Sequence, residues 1–195
     1  MKKSVVFFIL ALTVSTVLTQ STVAQTTWNA DPMHSKLTFS ITHLGISDVD
    51  GMFTKFDASA TTNKPDFSDA VFELAADVTS INTAVEMRDK HLRSADFFEV
   101  ERFPKMTFKS TGIKKIATNK YQLTGNLTLH GVTKAVMMDL WYRGTIVDPK
   151  SKVNISGFQL TGTIKRSDFG IGPKFPAPML SDEVKIKADG EFKQK

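Results

Sequence analysis

Four histidines, His34, His43, His91 and His130, are the only side chains in the 195-residue chain that could serve as a general base near neutral pH or as nitrogen ligands to a metal. Their spacing fits no compact zinc pattern, in which ligands recur about two to five residues apart. Three arginines, Arg88, Arg93 and Arg166, run with Asp89, Asp96 and Asp168, a set that can either tie loops down or leave an arginine for a phosphate or carbonyl. Lys174 is a weaker candidate for the same task. No Gly-x-Ser-x-Gly elbow occurs, and no pair of carboxylates shares an apolar face as an acid/base dyad requires. Asp168-Phe169-Gly170 spells the kinase magnesium triplet, but the glycine-rich loop, strand lysine and catalytic loop that give it meaning are missing. Asn126-Leu127-Thr128 and Asn154-Ile155-Ser156 match the glycosylation sequon within predicted strands. A binding protein that is not an enzyme is the expected class. The alternative is a metal-binding or hydrolytic protein working through His43, His91 or His130.

The elements that must position these groups are strands. Leu37, Phe39 and Ile41 alternate with Lys36, Thr38, Ser40 and Thr42; Phe72, Leu74, Ala76 and Val78 alternate with Glu73, Asp77 and Thr79. Met106 and Phe108 continue the pattern, as do Leu123, Gly125, Leu127 and Leu129. Beyond a His130-Gly131 turn, Val132, Val136, Met138 and Leu140 keep one parity, which predicts a hairpin. Phe158, Leu160 and Ile164 mark another strand; Val184, Ile186, Ala188 and Phe192 mark the last; Met52, Phe56, Ala58 and Ala60 complete a set of about eight. Strands apolar on one side only should close into a barrel or pack as a sandwich. Residues 82–100 break the period, with Asn82 or Thr83 as helix cap, a short helix through Leu92, and Phe97-Phe98 near a second turn. The proline-rich stretch 170–178 cannot join a ladder, because its prolines lack the amide donor.

Lys2 and Lys3, the apolar run Val5 to Leu12, and the small residues ending at Ala24 have the order of a secretory signal peptide. The run is shorter than the roughly 20 residues of a membrane-spanning helix. Residues 1–24 are therefore expected to be removed, leaving 25–195 as one domain, periplasmic or secreted. Loss of the two lysines takes the net charge from +5 to +3, with no clustered basic face for nucleic acid. Without cysteine there are no disulfides and no thiol chemistry, so a core must supply the stability. Fifteen phenylalanines against two tyrosines and two tryptophans favour a dry interior over a sugar-stacking surface.

An eight-stranded barrel is either filled by its side chains or just wide enough for one ligand. The small inward positions Ala58, Ala60, Ala76, Gly125 and Ala188 point toward a cavity, whereas Phe39, Phe56, Phe72, Phe108 and Leu127 would equally serve a packed core. Pattern alone leaves both open.

Five stretches, in order, carry a resemblance: Asp31-Pro32-Met33-His34-Ser35 leading into Phe39 to His43-Leu44-Gly45; Arg88 to Phe98; Phe103-Pro104; Gly125 to Lys134; and Arg166-Ser167-Asp168-Phe169-Gly170. With them the chain resembles the YceI-like family of exported, lipocalin-like proteins along essentially its whole mature length. The resemblance implies an all-β fold, an extended eight-stranded antiparallel barrel with a short helical segment covering one side or end. It also implies a tunnel for polyisoprenoid chains, such as a quinone tail or prenyl phosphate, or for related long-chain lipids and amides, and often a homodimer. On that reading the ligand is a bound isoprenoid lipid or quinone and not a catalytic cofactor. Its tail is expected among Phe39, Ile41, Phe56, Phe72, Leu74, Phe108, Leu127, Leu129 and Phe158, and its head near His91 and Arg93. No stable membrane insertion is expected.

Overall fold

A computed structural model describes residues 24–195, so the export signal read at the start of the chain lies outside the described residues except for Ala24. Period-two alternation emerges as ten strands: β1 Thr26–His43, β2 Ser47–Phe53, β3 Phe56–Thr62, β4 Val71–Asp77, β5 Ile81–Asn82, β6 Lys105–Ala117, β7 Lys120–Leu129, β8 Val132–Val147, β9 Asn154–Lys165 and β10 Leu180–Gln194. Eight of them, β1, β3, β4, β6, β7, β8, β9 and β10, pair antiparallel in that order, and β10 returns to β1 to close the ring. Closure leaves no edge within the ring, as expected for one-sided strands. The expected closed barrel, with a short helix α1 at Glu86–Arg93, is the fold observed. Among the described residues no helix is long and apolar enough to cross a membrane.

Long β1 serves two neighbours on one side. Its start, Thr26 to Asn29, pairs with β3, and its end, Leu37 to His43, pairs with β2. A bulge between Ala30 and Ser35 separates the halves, so inward residues are even-numbered before it (Trp28, Ala30) and odd-numbered after it (Leu37, Phe39, Ile41). The single strand read through Met52 and Phe56 to Ala60 is corrected by the structure. A bend at Thr54-Lys55 divides it and shifts the parity, so Phe53 is buried and Met52 exposed, while Phe56, Ala58 and Ala60 face in as read.

The β7–β8 hairpin turns on His130 and Gly131, at φ 51° and 74°, the double positive φ of a type I′ turn. Glycine is needed there for space as well, since a Cβ on Gly131 would lie 2.4 Å from the Phe103 ring.

Strand directions gather β1's end, α1, residues 94–104, the His130 turn and the 166–180 segment at one end of the barrel, here the helix end. The opposite end is filled. Phe67, on the β3–β4 connection, lies with its ring 5.3 Å from Trp28, 5.0 Å from Tyr142 and 4.8 Å from Phe158, and is fully buried. Its φ of 58° is a strained backbone state for a bulky residue, held by that burial. Tyr121, also fully buried, donates its hydroxyl proton to the Asp66 carbonyl and so fastens the same loop.

The helix caps expected at Asn82 or Thr83 are displaced. The cap position is Val85, with no side-chain cap bond. Asn82 Oδ1 instead accepts from Ala84 N at 2.8 Å, and buried Thr83 is engaged with Arg88 and Asp89, because the chain makes the short β5 and one turn before the helix begins.

Candidate ligand-binding cavity

Inside the barrel, from the aromatic plug to the helix end, lies a cavity of about 470 Å³ with an overwhelmingly apolar lining. That volume is within the range of small-molecule pockets, roughly 300–1,000 Å³. Its floor is aromatic. Phe158 and Phe72, 5.3 Å apart, face it together with Phe192, and Phe158 rests on the plug through Phe67. Its walls include Leu160, Val184, Ile186 and Ala188, inward residues that stay partly accessible because open space lies in front of them. The exposed lining residues His43, His91 and Met179 stand at the helix end and mark the opening there.

Of the tail residues read from sequence, Phe39, Ile41, Phe56, Phe72, Leu74, Phe108, Leu127, Leu129 and Phe158 all line this cavity. Of the head-group pair, His91 lines it and Arg93 does not. Arg93 reaches the other way, donating from Nε to the Thr79 carbonyl (2.8 Å) and from Nη2 to that of Ile81 (2.9 Å), and so ties the helix to the turn after β4. The small inward positions divide. Ala58 and Ala188 line the cavity, while Ala60 and Ala76 are sealed into packed wall. Gly125 makes room for a ring, since a Cβ there would lie 2.4 Å from Phe108.

The loops at the helix end are held by groups that sequence reading paired differently. Arg166, buried, forms no ion pair among the described residues. Its guanidinium donates to five carbonyls: Ser181 (2.9 Å), Ile171 (2.9 Å), Gly172 (2.7 Å), Leu180 (3.1 Å) and Phe175. The proline-rich stretch, which can join no ladder, thus satisfies three of its carbonyls on one side chain, and Ile171 and Phe175 are presented to the cavity. The arginine-carboxylate pairs expected from Asp89, Asp96 and Asp168 do not form. Asp96 instead accepts from Lys174 (2.7 Å) and lies 3.3 Å from His91, and the lysine, then the histidine, hold its carboxyl below the usual carboxylate range. Asp182 is pushed up by burial but ends lowered, because Ser167 donates to it from both amide and hydroxyl.

The histidines are dispersed. His130 Nδ1 donates to the Phe169 carbonyl at 2.9 Å, which leaves Nε2 buried without a hydrogen-bond partner, 3.6 Å from Glu99. His91 packs between Phe97 and Phe175, with ring centroids 5.0 and 5.6 Å away. Among the described residues the one trio of His and carboxylate atoms close enough to share an ion is Asp31, His34 and Glu191, at the β1 bulge and away from the mouth. There Lys193 Nζ, 2.8 Å from Asp31, already supplies the cation. Lys193 and then His34, by their hydrogen bonds, hold Asp31 far below the usual carboxylate range, and the same contact raises His34. No periodic signal marked this cluster, because it assembles across the β1 bulge from both ends of the chain.

Comparison with known proteins agrees with this architecture. The chain is 36% identical to UPF0312 protein SA2479 of Staphylococcus aureus (strain N315), over 86% of this chain and 97% of that one. It superimposes on the Campylobacter jejuni YceI protein with TM-score 0.73 at 33% identity, covering 80% of this chain and 90% of the other. A polyisoprenoid binding domain from Saccharophagus degradans shares the fold at TM-score 0.64 and 16% identity, over 89% of this chain and all of that domain. The YceI-like domain family matches residues 28–192, and with that span, this closed barrel and these relatives, the chain belongs to the YceI-like family.

Proposed function

We propose that the protein is an exported carrier that holds a polyisoprenoid or similar long-chain lipid (a quinone, prenyl phosphate or fatty amide) in the barrel lumen, for transport, storage or stress response in the periplasm or outside the cell. One observation carries this reading: the apolar side chains of the upper barrel surround a cavity instead of meeting across it. A hydrocarbon entering it leaves water at about 0.8 kcal/mol per methylene, so the tail needs no polar partner. The shared fold with a polyisoprenoid binding domain supports the ligand class, and the ordered charged, apolar and small segments of residues 1–24 support export. Among the described residues His43, His91 and His130 join no cluster that could hold a metal ion, and His91 and His130 are engaged with Asp96 and the Phe169 carbonyl, which favours this reading over a histidine-based hydrolase.

Native mass spectrometry of protein purified from its own host tests the proposal. A long-chain lipid bound one to one is the expected result. Repeatedly empty protein that also fails to bind added isoprenoid quinone would overturn it.

A further inference from the structure

The cavity mouth carries five polar side chains in its lining, His43, Thr83, Arg88, His91 and Arg166, and they differ in what they have left to offer a ligand. Two cationic arginines touch the cavity. Arg166 is no candidate, because its five carbonyl bonds use every N–H it has. Arg88 is the opposite case. Nε donates to Thr83 Oγ1 at 2.7 Å and Nη2 to the Thr83 carbonyl at 2.7 Å, while among the described residues Nη1 has no acceptor and no carboxylate lies within ion-pair distance. The neighbouring anion, buried Asp89, is engaged elsewhere, accepting from Thr83 N at 2.8 Å and Thr83 Oγ1 at 2.6 Å. Thr83 therefore stands between the two charges and fixes one edge of the guanidinium, the other edge being unused on a residue that lines the cavity. His91 lies one helical turn on, with Nε2 directed to Asp96.

A half-buried, orientationally fixed guanidinium with an unused edge is suited to an oxyanion, which it meets through parallel N–H donors and opposite charge. We infer that the lumen selects lipids with an oxyanionic head, a carboxylate or a phosphate monoester, and that Arg88 is the residue that binds it. The inference rests on the carrier reading and narrows it: tail affinity comes from the lumen, head selectivity from Arg88. Arg93, the arginine singled out by sequence, takes no part, because it lies outside the cavity lining and reaches away to the Thr79 and Ile81 carbonyls.

Two matched pairs of ligands separate the sources of such a head: oleate against oleyl alcohol, and geranylgeranyl phosphate against geranylgeraniol, each titrated by calorimetry into delipidated protein. The expected result is at least tenfold tighter binding of the anion than of the alcohol in one or both pairs. A preference confined to the phosphate pair assigns a prenyl phosphate, and one confined to the oleate pair assigns a fatty acid. In Arg88→Gln the preference should collapse to under threefold while alcohol binding is kept, the latter doubling as the check that the variant is folded. Equal binding of anion and alcohol by the unmodified protein, or an undiminished preference in Arg88→Gln, would overturn the assignment. Failure of all four ligands to bind would instead bring down the carrier reading itself.

Discussion

The two halves of the barrel interior use the same kinds of side chain to opposite ends. At the plug end, Phe67 and Tyr121 are fully buried, and Phe67 has rings on three sides. Toward the helix end, Leu160, Val184 and Ile186 point inward just as regularly but remain partly accessible. Alternation along the strands is identical in both halves. What differs is what the connections bring: the β3–β4 loop inserts an aromatic ring, whereas α1 and the 166–180 segment arch over the opening with His91, Phe97 and Phe175 at its edge. Whether a barrel is a core or a container is thus decided by its loops.

Large-to-small changes at the two ends should therefore separate. Phe67→Ala is expected to cost about 4 kcal/mol in urea unfolding, since it empties a closed site. Leu160→Ala should cost no more than about half as much, because its side chain already borders open space. Equal losses would erase the distinction between plug and lumen.

The next effect concerns the arch. Arg166→Met removes five bonds to carbonyls and should destabilise the protein by about 3 kcal/mol, with hydrogen exchange rising first at residues 170–180. If exchange there stayed slow, the arch would be held by something other than this guanidinium.

Filling the lumen should do the reverse of emptying the plug. Ala188→Phe places a ring where space exists, so stability should change by less than about 1 kcal/mol. Binding of a long isoprenoid should nevertheless weaken at least tenfold. Unaltered binding would mean that the ligand sits elsewhere.

The smallest effect lies at the β1 bulge. Asp31, with its carboxyl lowered, contributes stability above its unfolded pKa of about 4, and that contribution fades as the pH falls toward its folded value. His34, raised by the same contact, contributes fully below its unfolded pKa of about 6.5 and loses its share as the pH climbs through the folded value. Asp31→Asn should therefore cost about 1 to 2 kcal/mol, most between roughly pH 4 and 6.5. A cost independent of pH would show that packing, not charge, makes the bulge.

The strands and their inward faces were legible because one-sided burial writes itself as alternation, but that nine of those inward residues line a lumen and not a packed core came only with the family resemblance. Where the backbone departs from regularity, alternation misleads: it assigns Met52 to the inner face, because nothing in Thr54-Lys55 announces a two-residue bend. Arg88 and Arg93 are indistinguishable in sequence, both in a charged helical run, and only the fold shows that Arg93 turns toward the strand after β4 while Arg88 turns to Thr83. The plug was hidden as well, since Phe67 stands in a loop with no period to read.

An open apolar lumen should bind a hydrocarbon more tightly the more of its length it can enclose. Titrating the delipidated protein with isoprenols of two, three, four and more units tests it most directly. At roughly 0.3 kcal/mol per heavy atom, each five-carbon unit should strengthen binding by about tenfold until the lumen is full, after which affinity levels off. Affinity that does not change with chain length would contradict the account.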